Sequence, residues 1–497
     1  MAPRVLLLVV VAFLFVAGPA RADLVQLDWA HLPRGIQLAR QAGGTEIASE
    51  LRLWSVPTYA VADLRRAGVV HLVRPNRLLT TLSVGPEATD PLVPLEWWRS
   101  AIGADRVDPP GPGKPVTVVD SGIDLTHPEF ANRPNTTVLN AQTTSEEDED
   151  HGTEVSSVVG APNNGVGVVG VYPNAVLRVW DASPFGFLNE SEAIKGIIEA
   201  ARLGPGVINL SFGGEDNDPL LQQAVDHAFR TGSLVVAAAG NDGLDGSPPN
   251  FPAVYPHVLT VGATNSSGHV AAFSSISPTV DLAAPGAAIP VAEPLAQDAS
   301  GYLLNANGTS FAAPLVSGAA AWVWTVRSNL DNTQLFEVMR RSARDIGAPG
   351  FDDATGWGLL DIPAALSFPA PRRDPQEPND RPEEIEPHAV FANGTPPLTA
   401  PGRTTGSITA HVDRMEDPVD LYRVWTPAHR VLRARSTGSV ALRLLRRATK
   451  TRPVAIALHG LATYRNGSGR GSYLYLEVRP HEAREASYNM RVTVAGR

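Results

Sequence analysis

Between residues 112 and 366, short apolar runs alternate with longer stretches of helical period, and this alternation constrains the fold more than any other feature of the chain. A strand that is apolar on both faces needs cover on both sides, and helices between such strands supply it, so the pattern predicts an α/β domain around a parallel sheet. Val116-Thr117-Val118-Val119 reads as one buried strand. Ser191 is expected to cap a helix with Ala193, Ile194, Ile197, Ile198 and Ala201 on one face, stopped by Gly204-Pro205-Gly206. Val207 to Leu210 is the next strand. Asp218-Pro219 opens a second helix that turns Leu220, Leu221, Ala224, Val225, Ala228 and Phe229 inward and ends at Gly232, and Leu234 to Ala239 returns to strand.

The flanks have other periods. Residues 23–85 read as a small α+β unit, with a helix over Ala60–Arg66 closed by Gly68 and a strand over Val69–Val73. Residues 369–385, rich in Pro and charge, read as a linker. Beyond them the period is two: Tyr488, Met490, Val492 and Val494 alternate with polar residues, as do Leu474, Leu476 and Val478, which predicts an antiparallel β-sandwich over 386–497. The whole is therefore divided as 1–22, 23–85, 86–368, 369–385 and 386–497.

Arg4, the 13-residue apolar run Val5–Ala17 and Ala20-Arg21-Ala22 have the form of a cleaved export signal, and the run is too short to span a membrane. Export with cleavage after Ala22 is the expectation. The chain has no cysteine, which excludes disulfides and thiol chemistry. Its net charge of −10 argues against a nucleic-acid binder, yet residues 403–497 carry 17 Lys+Arg against 7 Asp+Glu, so a basic tail follows an acidic body.

Four residues have local settings suited to acyl transfer, which needs a nucleophile, a base, a group to orient the base and donors for an oxyanion. Asp120 ends the strand Val116–Val119, where a carboxylate reaches the ligand edge of a parallel sheet. His151 opens His-Gly-Thr-Glu-Val. Ser310 lies in Gly308-Thr309-Ser310-Phe311-Ala312-Ala313-Pro314, at a helix start where backbone N–H groups are positive. Asn241 ends a strand in Ala239-Gly240-Asn241-Asp242, with an amide able to donate.

With these motifs the chain resembles the subtilisin-like serine peptidases from about Asp90 to Leu366, in the order Asp, His, Ser. Val207–Gly214, Asp281–Gly286 and Gly356–Asp361 match further landmarks of that family. The resemblance implies a subtilisin-like parallel sheet flanked by helices. It also implies a triad of Asp120, His151 and Ser310, with Asn241 as oxyanion donor. Substrate would lie as an extended strand along Ser211, Phe212, Gly213, Gly214 and Gly240. Residues 23–85 resemble the family's inhibitory prodomain, which implies a zymogen processed somewhere in 76–92. Glu377-Pro378-Asn379-Asp380 and Asp420-Leu421-Tyr422 resemble the β domain appended to secreted bacterial peptidases.

No cofactor is needed for this chemistry. A structural Ca²⁺ is implied by the likeness of Pro162–Val168 to the family's calcium loop, with Glu129, Pro162, Asn164, Val166 and Val168 as ligands. Two departures stand out: Glu129 replaces an aspartate, and Ser157 replaces a glycine in the helix after His151. Glu146 to Asp150 form an acidic run before His151, read either as a solvated loop or as a rim favouring basic substrates, with Asp242 adding to it. The expected partners are peptide or protein substrates and the chain's own propeptide, with no nucleic acid; the expected state is a secreted monomer. Two other readings remain open: a binding protein using the fold as scaffold, and an esterase with the same triad.

Overall fold

The computed structural model describes residues 22–49, 52–75, 90–142, 151–184, 187–447, 452–458 and 460–496. The export signal, most of the processing stretch and the acidic run 146–150 lie outside the described residues. The chain divides into two compact units, Met1–Glu87 and Ala88–Arg497. In the first, β1 (Ala22–Leu27), α1 (Leu32–Gln41), β2 (Thr45–Ala48), β3 (Leu53–Pro57), α2 (Val61–Arg66) and β4 (Val70–Pro75) form an antiparallel sheet in the order β2-β3-β1-β4. Val25, Leu27, Trp54, Val56 and Leu64 make its core.

The second unit begins with α3 (Trp98–Ala101) and is built on a seven-stranded parallel sheet. Its strands are β5 (Pro115–Asp120), β6 (Thr136–Val138), β7 (Val176–Asp181), β8 (Val207–Leu210), β9 (Leu234–Ala238), β10 (Val258–Thr264) and β11 (Leu282–Pro285), in the order β11-β10-β9-β8-β5-β7-β6. Three helices lie between them: α4 (His151–Gly160), α5 (Glu190–Arg202) and α6 (Pro219–Arg230). An antiparallel pair, β12 (Ile289–Ala292) and β13 (Tyr302–Ala306), leads into α7 (Thr309–Val326), α8 (Asn332–Arg341) and α9 (Ile362–Ser367).

Helices cover both faces of the sheet. α4 and α7 share one apolar core with the sheet, and α5 and α6 form another on the opposite side. α7 is buried without a break from Phe311 to Trp324, as its all-apolar sequence requires. The strand β5 lies between β7 and β8, and later strands are laid down on either side of it. Chain connections leave in opposite directions at such a switch point, opening a crevice at the strand's C-terminal end, where Asp120 stands.

Two expectations about the helices need correction. Asn189, not Ser191, caps α5, accepting a hydrogen bond from the Ser191 N–H at 3.0 Å. Ile198 and Leu220 face solvent, because the stripe that packs is carried by Gly196, Ile197, Ala200 and Ala201 in α5 and by Leu221, Ala224, Val225 and Ala228 in α6. The Asp218 cap of α6 holds, with its carboxylate on the Leu220 N–H.

The C-terminal part is a β-sandwich preceded by a short helix, α10 (Pro382–Ile385). One sheet has the order β14 (Thr405–Asp413), β21 (Glu485–Ala495), β16 (Val431–Thr437), β19 (Leu461–Arg465). The other runs β15 (Asp420–Thr426), β20 (Ser472–Pro480), β17 (Val440–Leu445), β18 (Ala455–Ala457). Tyr488, Met490, Val492, Leu474, Leu476 and Val478 enter its core as the period of two requires. The segment 369–385 is packed rather than free: Asn379 and Ile385 are buried. Arg381 pairs with Asp226 of α6, and His257 lies 3.0 Å from Asp380 and 3.3 Å from Glu377. Arg340 of α8 is buried among Glu337, Asp281 and Asp413.

Candidate active site

Asp120 is fully buried at the end of β5. Its Oδ1 accepts from the Ser121 N–H at 2.8 Å and faces His151 Nδ1, also at 2.8 Å. His151 is the first residue of α4, and the approach depends on the residue after it. A Cβ on Gly152 would fall 2.1 Å from the Gly122 carbonyl oxygen. Only glycine lets the helix start sit against the loop that follows Asp120. The Gly152 N–H is bound by Ser121 Oγ at 2.9 Å, which fixes that helix end. With Nδ1 held by a carboxylate, Nε2 is the ring nitrogen turned away from Asp120. Its side chain is 30% exposed, so the ring is open to a ligand on one side. It lies beside Phe311, with ring centroids 6.0 Å apart, next to Ser310 in sequence.

Ser310 is the second residue of α7, where backbone N–H groups lack intrahelical partners. Its Oγ donates to the Ser211 carbonyl at 3.1 Å, and the Ser211 hydroxyl donates to the Ser310 carbonyl at 2.9 Å. The second bond has a cause in the sequence. Pro314 has no N–H, so the Ser310 carbonyl, four residues back, loses its helical donor and takes Ser211 instead. Asn209 donates to Ser211 Oγ at 2.9 Å and accepts from Ser317 Oγ at 2.8 Å, so a buried polar chain ties β8 to α7 under the site.

Asn241 is exposed, and its orientation is fixed by Thr309, whose N–H and Oγ1 both donate to Asn241 Oδ1 at 2.9 Å. That leaves the Nδ2 donor for another partner. A point at the position of a Cβ on Gly308 lies 3.5 Å from Asn241 Nδ2 and 3.6 Å from the Ser310 N–H nitrogen. Both nitrogens therefore lie close to one point at the start of α7.

Ser211 is buried, whereas Gly213 and Gly214 are exposed, and Gly214 exchanges two backbone hydrogen bonds with Phe251, at 3.0 and 2.7 Å. A residue missed by sequence reasoning lies here. The Asn250 amide fills the space a Gly213 side chain would occupy, at 2.3 and 2.5 Å from the position of its Cβ, and Asn250 Cβ and Cγ stand 3.3 Å from that of Gly240. Asn250 Nδ2 donates to the Ala238 carbonyl at 3.2 Å. It sits in an aperiodic run, Pro248-Pro249-Asn250-Phe251-Pro252; the available signal was the pair of glycines opposite it. Ser157, in place of a glycine, is buried without disturbing α4. Its hydroxyl donates to the Glu154 carbonyl at 2.6 Å and accepts from the Ala292 N–H at 3.0 Å, joining α4 to β12.

The loop 162–168 does meet Glu129. Val168 N–H and Tyr302 OH donate to Glu129 Oε1 at 2.8 and 3.1 Å, and Asn164 Nδ2 lies 3.4 Å from Oε2. Asp90, also missed, accepts from the backbone of Asn164 and Gly165. Both carboxylates are buried. Burial, with a smaller contribution from Asp90, pushes the Glu129 carboxyl up to about 8. Two buried carboxylates that accept from one turn, with no basic side chain hydrogen-bonded to them among the described residues, suit a hard divalent cation, so the donor set fits calcium in its chemistry. Elsewhere, Asp374, Glu377 and Asp417, and likewise His257, Glu377 and Asp380, bring ligand atoms within 4.8 Å of one another.

No helix among the described residues is long and apolar enough to cross a membrane. The sequence model described as the subtilase family, peptidase S8, matches residues 111–358. Subtilisin NAT of Bacillus subtilis subsp. natto is 37% identical over 256 residues, which is 50% of this chain; the chain thus spans 65% of that relative's length. Subtilisin of Bacillus pumilus is 36% identical over 256 residues and is covered to 90%. Among solved structures, fervidolysin from Fervidobacterium pennivorans, described as a keratinolytic enzyme related to subtilisin, aligns with a TM-score of 0.50 at 21% identity. That alignment covers 93% of this chain and 69% of the other, and the likeness is one of fold.

Proposed function

Since the chain belongs to the subtilase family, we propose that it is a serine endopeptidase in which Ser310 is the nucleophile, His151 the general base and acid, and Asp120 the group that orients the imidazole. The observation that carries this reading is the 2.8 Å contact of His151 Nδ1 with the buried Asp120 carboxylate, with Asn241 Nδ2 and the Ser310 nitrogen both near one point at the start of α7. Substrate binding turns Ser310 Oγ from the Ser211 carbonyl to His151. Oγ then attacks the scissile carbonyl as its proton passes to the imidazole. Asp120 holds Nδ1–H and stabilises the charged ring, which delivers the proton to the leaving amine. Water repeats the sequence to release the acyl group. The substrate lies extended against Ser211–Gly214 and Gly240, its P1 side chain directed at Asn250.

The same reading makes residues 23–85 a propeptide, removed after export, and the mature enzyme an extracellular monomer. The self-contained sheet and core of the first unit support this, since such a unit can be released whole. A structural Ca²⁺ would be held by Glu129, Asn164 and the carbonyls of Pro162, Val166 and Val168, with Asp90 beside them, and would supply the positive charge that these buried carboxylates lack.

The test is hydrolysis of an internally quenched peptide by the wild type and by Ser310→Ala. Cleavage by the first and none by the second, with both folded, is the expected result. Equal rates would assign the activity to a contaminant and leave the site without this function.

A further inference from the structure

The outward face of the sheet β14-β21-β16-β19 carries Arg433, Arg435, Arg465 and Arg491, all exposed. Arg435 and Arg491 stand directly opposite one another in register, with Ser407 next in the same row. Arg433 lies opposite Thr493 and Thr463, and Arg465 opposite Val431. Like charges directly opposite destabilise a strand pair. No ion pair among the described residues involves any of the four. The nearby carboxylates are committed elsewhere: Glu485 to Arg341, and Glu477 to Arg443 and Arg479 on the other sheet. Beside Arg435 and Arg491, and not reaching Arg433 or Arg465, runs a shallow trough of about 430 Å³ lined also by Ser407, Thr409, Thr437 and Asn489. Thr409 Oγ1 donates to Asn489 Oδ1 at 2.6 Å, orienting that amide within it.

We infer that this face binds an anionic polysaccharide and tethers the enzyme to it. Strands about 4.8 Å apart and alternate residues about 6.6 Å apart set the guanidinium groups on a flat grid, matched to charges repeating along an extended polymer. Hydroxyl and amide groups between them suit a polyhydroxylated chain. No Phe, Tyr or Trp faces outward on these strands to stack bases, as single-stranded nucleic acid requires, and Leu461 is the one exposed large apolar residue on them, too little for a membrane. The acidic body, opposite in sign, would be held away from the polymer while the basic face engages it.

The experiment measures binding of the full chain carrying Ser310→Ala to dextran sulfate, polygalacturonate, neutral dextran and poly-glutamate. Binding to one or both anionic polysaccharides at 50 mM salt, and not to neutral dextran, is expected; the two separate sulfate from carboxylate as the recognised group. Affinity should fall about fifty- to a hundredfold by 200 mM salt if four cationic contacts form. Arg435→Ser with Arg491→Ser should weaken binding at least tenfold and unfold at or above the parent temperature, since opposed charges are removed. Arg433→Ser with Arg465→Ser provides an independent second variant. Parent-like affinity in both folded variants, no binding to either anionic polysaccharide, or tighter binding to poly-glutamate would overturn the proposal.

Discussion

At the scale of single residues the site makes separable demands. On the proposed mechanism Asn241 is an oxyanion donor, so Asn241→Ala should lower kcat by about 10²–10³ while KM changes little. Steady-state kinetics on a peptide substrate checks this, and a change confined to KM would assign Asn241 to ground-state binding. Asn250 makes a different demand. Its amide occupies the gap between Gly213 and Gly240, so Asn250→Gly should open it and shift preference toward large apolar P1 residues. A peptide-library cleavage profile reads this directly, and an unchanged profile would remove Asn250 from the specificity pocket. The placing of Asp120, His151 and Ser310 at the end or start of a regular element was legible in the sequence, where position follows from pattern, whereas Asn241 lies three residues beyond β9. Asn250 and Asp90 were not legible, because each lies in an aperiodic segment and gains meaning only from what folds against it.

At the scale of elements, α8 and β14 meet through a buried charge cluster. Arg340 faces Asp281, Glu337 and Asp413, and those groups hold its guanidinium well above the usual arginine range, against the effect of burial. Arg340→Met would leave Asp281 and Asp413 buried without their cation, while Glu337 keeps Arg341, a loss of about 3–5 kcal/mol. Thermal or denaturant unfolding should show it; a variant as stable as the parent would mean the cluster is solvated. Strand periods announced the parallel sheet and the sandwich, since burial on two faces or one leaves different patterns in the chain. The docking of the two through 374–420 left no such trace. A buried ion pair looks, in sequence, like any surface charge.

For the whole molecule the same interface sets a pH dependence. Burial raises Asp226 to about 6 and Asp281 and Glu384 to about 7, so these groups retain protons in the folded chain that the unfolded chain releases above about pH 4. Their contribution to stability therefore declines as pH rises from about 4 to 7. Glu485 has the opposite sign. Although burial acts to raise it, His411 at 3.8 Å and the hydrogen bonds from Arg341 bring it down to about 2, and its contribution is lost as pH falls below about 4.5. The full chain carrying Ser310→Ala should thus show a higher unfolding temperature near pH 5 than near pH 8, because three raised carboxyls outweigh the one lowered group over that range. A flat profile would contradict a desolvated interface. Chelation should also lower the unfolding temperature if Glu129 and the 162–168 loop hold Ca²⁺, and no shift with added EDTA or CaCl₂ would remove the ion from the account.

Treating the expressed protein with a fluorophosphonate and reading intact mass, beside Ser310→Ala, tests whether Ser310 is a nucleophile activated by its setting. The account predicts one adduct, located at Ser310, on a wild-type protein that has lost its N-terminal unit, with neither adduct nor processing in the variant. A folded, processed wild-type protein that takes up no label would contradict it.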